Sequence, residues 1–296
     1  MGRGFQPFNR KIVMDSNQKG WLCTVLIAAC AVAVPSVGRA ADPAGKPDAK
    51  RPQILCTTTM MGAVAEAVGG ADVEVYTLIP FGNCPGHFDL SPSEANRLRD
   101  VDLVLWHGFE RFLDRTEPGP RAQKVRIGVD GNWLIPEVHA NAVNEIVAVL
   151  SGHVPPLQPV FRERATAYKQ RVRAAGDTVR DALSAYRGTP VVCAAMSRDW
   201  VQWLGFDVVA TFPRDDGISV GRLHNIIKTS REAGAALVLD NRQSGGRIGR
   251  VIAREIGVPM VMLSNFPALD TAASDPPPYV RALTEQTAEI EKALTR

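Results

Sequence analysis

Between Phe81 and Asp100 the chain reads FGNCPGHFDLSPSEANRLRD, which sets Cys84, His87 and Asp89 close together. Thiolate, imidazole and carboxylate are the donors a transition metal takes from a protein. Pro85 and Gly86 stiffen and kink the segment between the thiol and the imidazole. His87 reads as a ligand or as a turn histidine bonded to backbone. Cys84 reads as a co-ligand or as half of a disulfide.

Other donors lie far off in the chain. Asp240 closes AALVLD, at the strand end where α/β folds take their ligands, and its other reading is a cap for the following helix. His107 ends DLVLWHG and faces the cleft side if the strands run parallel. His139 serves equally as a ligand or as a first-turn residue of a helix beginning HANAV. Met196 stands at a strand end and packs under the next helix if it binds nothing. Cys193 alternates into the strand VVCAAM and reads as core or as a soft ligand. His153 and His224 read as a loop and a solvated helix face, and Glu110 as a helix-start residue.

A divalent metal needs three or four such donors brought together, and sulfur shifts the preference toward zinc or copper. Turnover chemistry has no comparable foothold. The sequence contains no G-x-S-x-G, P-loop or H-E-x-x-H pattern, and SGGRIG (244–249) reads as a tight turn before a helix. The expectation is a binding protein and not an enzyme.

The elements that must position these donors alternate in type. Strands are expected at 54–60, 73–79, 101–108 and 124–129, and again at 190–196, 207–212, 235–240 and 258–264. Helical patterns fall between them, which argues for parallel, covered sheets. Ser91, Pro92 and Glu94 form a helix-start signature. From Val160 to Gly188 a stripe of Phe161, Ala165, Tyr168, Val172, Ala175, Val179, Leu183 and Tyr186 recurs at helical spacing. That helix would run about 40 Å, longer than most helices inside one α/β domain. The reading is α/β: two βα lobes with parallel four-stranded sheets joined by one long backbone helix. The expected boundaries are an N-terminal lobe over 53–156, the linking helix over 157–188 and a C-terminal lobe over 189–296, its tail an amphipathic helix.

Composition removes several classes. Hydrophobic residues at 45% and charged residues at 22% exclude wholesale disorder. A net charge of +3 on 296 residues, without a dense basic cluster, excludes a nucleic-acid binder. Lys11 and Lys19 precede the apolar run WLCTVLIAACAVAVPSV, which ends in GRAAD. This is an export signal over 1–40, cleaved after Ala40 or lipidated at Cys30, with an uncleaved anchor helix as the remaining option. Residues 41–52 are a Pro-rich leader. Cys56, Cys84 and Cys193 remain beyond it, an odd number for an oxidising compartment; one Cys84–Cys193 disulfide is possible.

The run TTTMMGAVAEAVGGADVEVYTLIPFGNCPGHFDLSPSEANRLRDVDLVLWHGFERFLD resembles the opening of the metal-binding solute receptors of ABC importers for zinc, manganese and iron. AALVLDNRQSGGRIGRVIAREIGVPMVML resembles their second lobe more loosely. The resemblance implies two lobes holding one metal ion between them, a membrane ABC permease as partner, a periplasmic monomer and zinc as first cargo, with manganese, iron or copper as others. It places His87 at the first histidine ligand and Asp240 at the acidic one. Near Trp133, Leu134 and Pro136, where the family has a second histidine, only His139 occurs, several residues late. The third histidine's place offers Cys193 and Met196, and no His-rich acidic loop is present. An extracytoplasmic copper or zinc metallochaperone is the alternative that Cys84, His87 and Met196 would also suit.

Overall fold

The computed structural model describes residues 50–214, 217–269 and 274–295. The export segment and most of the leader, with Cys30 and Ala40, lie outside these residues. The first half begins with β1 (Gln53–Cys56), α1 (Thr59–Gly69), β2 (Glu74–Thr77), α2 (Pro92–Asp100), β3 (Leu103–Trp106) and β4 (Gln123–Arg126). Helix α3 (Pro136–His153) leads into α4 (Gln158–Ala182). The second half contains β5 (Pro190–Ala194), α5 (Arg198–Trp203), β6 (Asp207–Phe212), α6 (Val220–Glu232), β7 (Leu237–Asn241), α7 (Arg247–Ile256), β8 (Met260–Leu263) and α8 (Pro278–Leu294).

All eight strands pair in parallel, in two sheets of order β2-β1-β3-β4 and β6-β5-β7-β8. The inner strands are apolar and inaccessible, as parallel strands covered on both faces must be: Ile54, Leu55 and Cys56 in β1 and Leu237, Val238 and Leu239 in β7 are fully buried. Each sheet repeats one topology. The chain starts in an inner strand, moves to one edge, then returns past the start to fill the other side. Order therefore reverses beside β1 in one sheet and beside β5 in the other, and at such points an open parallel sheet leaves a crevice at the strands' C-terminal ends.

Strand ends were the least legible feature of the sequence. The first strand stops at Cys56, short of the expected Met60, because the Thr58 hydroxyl accepts the Met61 N–H and starts α1 there. Helix α2 begins as its signature predicts. Ser91 Oγ accepts the Glu94 N–H at 3.3 Å, and Glu94 accepts the Ser91 N–H at 2.7 Å.

Helix α4 buries Phe161, Ala165, Tyr168, Val172, Ala175, Gly176 and Val179, the stripe read from sequence with one glycine added. A Cβ on Gly176 would meet Pro136 Cγ at 2.6 Å, so glycine permits the close α3–α4 crossing. The helix ends at Ala182, Leu183 caps it, and Tyr186 falls in a 3-10 turn, Ser184–Tyr186. α4 packs against α1, α3 and α8, and one apolar cluster runs from Ile54 through α4 to Ile290. Both sheets thus rest on a shared core behind the crevice. Tyr279 of α8 donates to the Leu134 carbonyl at 2.8 Å and Gln286 accepts the Ser264 N–H, tying α8 to both halves. Among the described residues no helix is long and apolar enough to cross a membrane.

Candidate functional site

The crevice between the sheets contains two adjoining cavities of about 410 and 540 Å3. They share Phe109, Met196, Asn265 and Phe266 in their walls. Every strand contributes from the segment beyond its C-terminal end: Met60 after β1, Cys84 and His87 after β2, His107 and Phe109 after β3, and Trp133 after β4. On the facing side stand Met196 after β5, Arg214 after β6, Asn241 and Gln243 at and after β7, and Asn265 and Phe266 after β8. The site is therefore the meeting of two topological reversals. Contacts among the described residues bridge the rims. Asn132 Nδ2 donates to the Met196 carbonyl at 3.0 Å, and the Arg242 guanidinium lies 5.4 Å above the Phe81 ring.

The turn after β3 is set by Glu110. Its carboxylate is fully buried and accepts the N–H groups of His107, Gly108 and Phe109 at 3.1, 2.9 and 3.1 Å, together with the Thr57 hydroxyl. Gly108 has φ +107°, and a side chain there would strike Arg126, so only glycine makes this turn cheaply. The turn stacks His107 on Phe109 (4.8 Å, 10°) and sets it edge-on to Trp133 (4.6 Å). Nε2 of His107 pairs with Thr58 Oγ1 at 2.9 Å. Enclosure pushes the His107 pKa down to about 4, the nearby Glu110 charge opposing in part. Phe109 and Met196 are left 51% and 66% exposed at the cleft. Sequence reading treated Glu110 as a helix-start residue and missed this anchoring role; an acidic residue two positions past the glycine that ends a strand was the available signal.

The six donors named from sequence separate into two groups. His87 lies exposed in a 3-10 turn (Pro85–His87) lining the larger cavity, with Cys84 Sγ 3.5 Å from its Nδ1. Met196 and His107 also line the cleft. Asp240 does not: its carboxylate is 1% exposed, accepts the Asn241 N–H at 2.6 Å and the Gly249 N–H at 3.0 Å, and the wall at β7 is made by Asn241 instead. Its capping reading is the one its geometry matches. His139 also stands away from the cleft. It is fully buried behind the sheets, stacked on Tyr279 at 3.7 Å and paired through Nε2 with the Tyr168 hydroxyl at 3.0 Å. Burial drives its pKa down to about 3, against a smaller opposing effect of the Trp133 backbone.

Among the described residues Cys56, Cys84 and Cys193 are all free, so the Cys84–Cys193 disulfide is not formed. Cys193 is fully buried in β5, and burial pushes its thiol up to about 12. Among the described residues no three His, Cys, Asp or Glu side chains are grouped to hold a metal ion.

A crevice between two parallel α/β sheets over a shared helical spine defines a two-lobed solute-binding protein. The family model described as zinc-uptake complex component A, periplasmic, matches residues 54–293. The chain belongs to that family. Over 174 residues it is 27% identical to the manganese-binding lipoprotein MntA of Bacillus subtilis, a match covering 52% of this chain and 56% of that protein. The match thus spans only about half the length of that curated relative. The Cd-bound periplasmic metal binding protein of Candidatus Liberibacter asiaticus shares the fold at TM-score 0.71 and 15% identity, covering 82% of this chain and 100% of its own. The FpvC binding protein of P. aeruginosa, in complex with Ni2+, aligns at TM-score 0.69 and 18% identity, covering 83% of this chain and 97% of its own.

Proposed function

We propose that this chain is the extracytoplasmic substrate-binding component of an ABC importer. It captures a divalent transition metal in the crevice and delivers it to a membrane permease without catalysing a reaction. The observation that carries this reading is the cleft built from the C-terminal ends of all eight strands, in a chain whose family is one of periplasmic metal-uptake components. Relatives of the chain are described as binding manganese, cadmium and nickel, which supports a transition-metal cargo.

His87, Cys84, Met196 and His107 are the cleft groups able to touch a metal or its complex. Imidazole, thiol and thioether favour borderline and soft ions. Release requires modest coordination by two halves that separate, and the Asn132–Met196 and Arg242–Phe81 contacts are what opening would break. The importer reading is preferred to a metallochaperone because a deep two-walled cleft sequesters cargo, whereas a chaperone must expose it to a partner's ligands.

The test is elemental analysis of purified protein equilibrated with mixed metal salts in the presence of citrate and then desalted. One metal equivalent per chain is expected, falling at least tenfold in His87→Ala. Absence of metal under every loading condition removes the reading.

A further inference from the structure

Helix α4 has a basic edge on each side of its buried stripe, and only one of them is neutralised. Arg164 and Arg171 stand seven residues apart on the first edge. Each has a carboxylate from another segment: Asp72 lies 2.7 Å from Arg164, and Asp275 pairs with Arg171. Arg162 and Lys169 repeat the spacing on the second edge, roughly 10 Å apart along the axis. Among the described residues neither has a carboxylate partner. Their own helix supplies none either. One turn from Arg162 are Gln158, Pro159, Ala165 and Thr166, and one turn from Lys169 are Ala165, Thr166, Val172 and Arg173. Glu163 lies about 100° round the helix from Arg162, on its outward face.

These two cations line a groove of about 540 Å3 between α3 and α4, and no carboxylate is among its described lining residues. Helix α3 contributes Asn144, Ala148 and Gly152, while its Glu145 is turned to the Gly128 N–H at 2.7 Å. Lys169 Nζ donates to Asn144 Oδ1 at 2.6 Å, which leaves two of the three ammonium protons and the Asn144 amide N–H groups to donate elsewhere. Arg162 is exposed and keeps its whole donor fork. The end of α3 and the start of α4 meet at one end of the groove, so their opposite dipole ends offset each other and the side chains set the sign. The groove shares no lining residue with the crevice cavities.

We propose that this groove binds a phosphate monoester. Two cations match the charge of about −1.5 to −2 that such a group has at neutral pH, whereas a single carboxylate would offset only one of them. Arg162 takes the phosphate oxygens bidentately, and Lys169 adds a point charge with its remaining protons. The volume falls within the roughly 300–1,000 Å3 of small-molecule sites, which leaves room along Ala148 and Gly152 for the esterified carbon body. The site is independent of the metal reading and lies on the spine that both sheets share.

Isothermal titration calorimetry of the full chain with glycerol 3-phosphate tests the site, with succinate as the carboxylate control. Sedimentation with phosphatidylcholine vesicles, with and without phosphatidic acid, shows whether the ester is free or part of a lipid. One equivalent of glycerol 3-phosphate is expected to bind about tenfold more tightly than succinate. Arg162→Ala and Lys169→Ala are each expected to weaken it about tenfold, with an unchanged melting temperature at the exposed Arg162. Arg171→Ala removes the same charge from the other edge and is expected to stay within about twofold, since a screened charge off the groove contributes little. Binding to phosphatidic acid vesicles alone, with the same pattern of variants, upholds the site and assigns the ester to a lipid headgroup. Succinate binding as tight as the ester, equal weakening in Arg171→Ala, or binding of neither ester overturns the proposal. None of these readouts involves metal, so failure here leaves the metal-receptor reading standing.

Discussion

The two sheets have the same strand order, and each has a buried carboxylate beside its point of reversal, yet the two are used differently. Glu110, past the end of β3, gathers three N–H groups of its own loop and the Thr57 hydroxyl. Asp240, within β7, reaches instead to Asn241 and to Gly249 in the first turn of α7. The first arrangement shapes a loop that presents His107 and Phe109 to the cleft. The second seats a helix on its sheet and leaves the cleft wall to Asn241. A carboxylate at a strand end is thus not by itself a ligand: the unpaired backbone donors around a tight turn claim it first, because each would otherwise be buried without a partner.

The asymmetry also concerns histidines, and acid should expose it most strongly. His107 and His139 both pack in the half containing the first sheet, with pKa values pushed down to about 4 and about 3. Folding keeps them neutral while the unfolded chain would protonate them near 6.5. Their contribution is fully present above pH 6.5 and is lost as pH falls toward 4. Each costs on the order of 3 kcal/mol at the bottom of that window. Chemical denaturation across pH 4–7 should show the loss, and hydrogen exchange should show the first sheet opening before the second. Earlier opening of β5–β8 amides would reverse the assignment.

Removing the anchors comes next in size. Glu110→Ala leaves three backbone donors and a threonine hydroxyl without their acceptor, and should lower stability by about 3 kcal/mol in urea titration. Asp240→Asn keeps one acceptor oxygen and should cost about 2 kcal/mol. Cargo affinity should separate the two: a loss in the folded fraction of Glu110→Ala, whose Phe109 loop is released, and less than a twofold change in Asp240→Asn. Equal loss of affinity in both would return Asp240 to the site.

The smallest contrast lies in the helix starts. Ser91 caps α2 within a reciprocal box with Glu94, whereas Ser219 caps α6 by a single bond from the Arg222 N–H at 3.3 Å. Ser91→Ala should cost about 1 kcal/mol and Ser219→Ala less, measurable as a difference in urea midpoint.

The two-sheet architecture was legible because local patterns carried it. Residues 207–212 carry a short apolar run and form a strand, the Phe161-to-Val179 stripe is the buried face of α4, and Ser91-Pro92-Glu94 opens α2. The site was less legible. His87, Cys84, His107 and Met196 do line the cleft, since a strand's C-terminal end faces it in any parallel sheet. The surroundings of His139 were not legible because its partners Tyr168 and Tyr279 come from α4 and α8, and nothing near His139 in sequence signals them.

By itself the sequence determined the periodicities, the caps and the family likeness, all of which depend on residues within a turn or a strand of one another. Only the tertiary structure decided which polar groups were left for cargo. That allocation follows from which groups packing brings together from distant segments: Tyr168 of α4 and Tyr279 of α8 claim His139, while Asn132 reaches the Met196 carbonyl across the crevice.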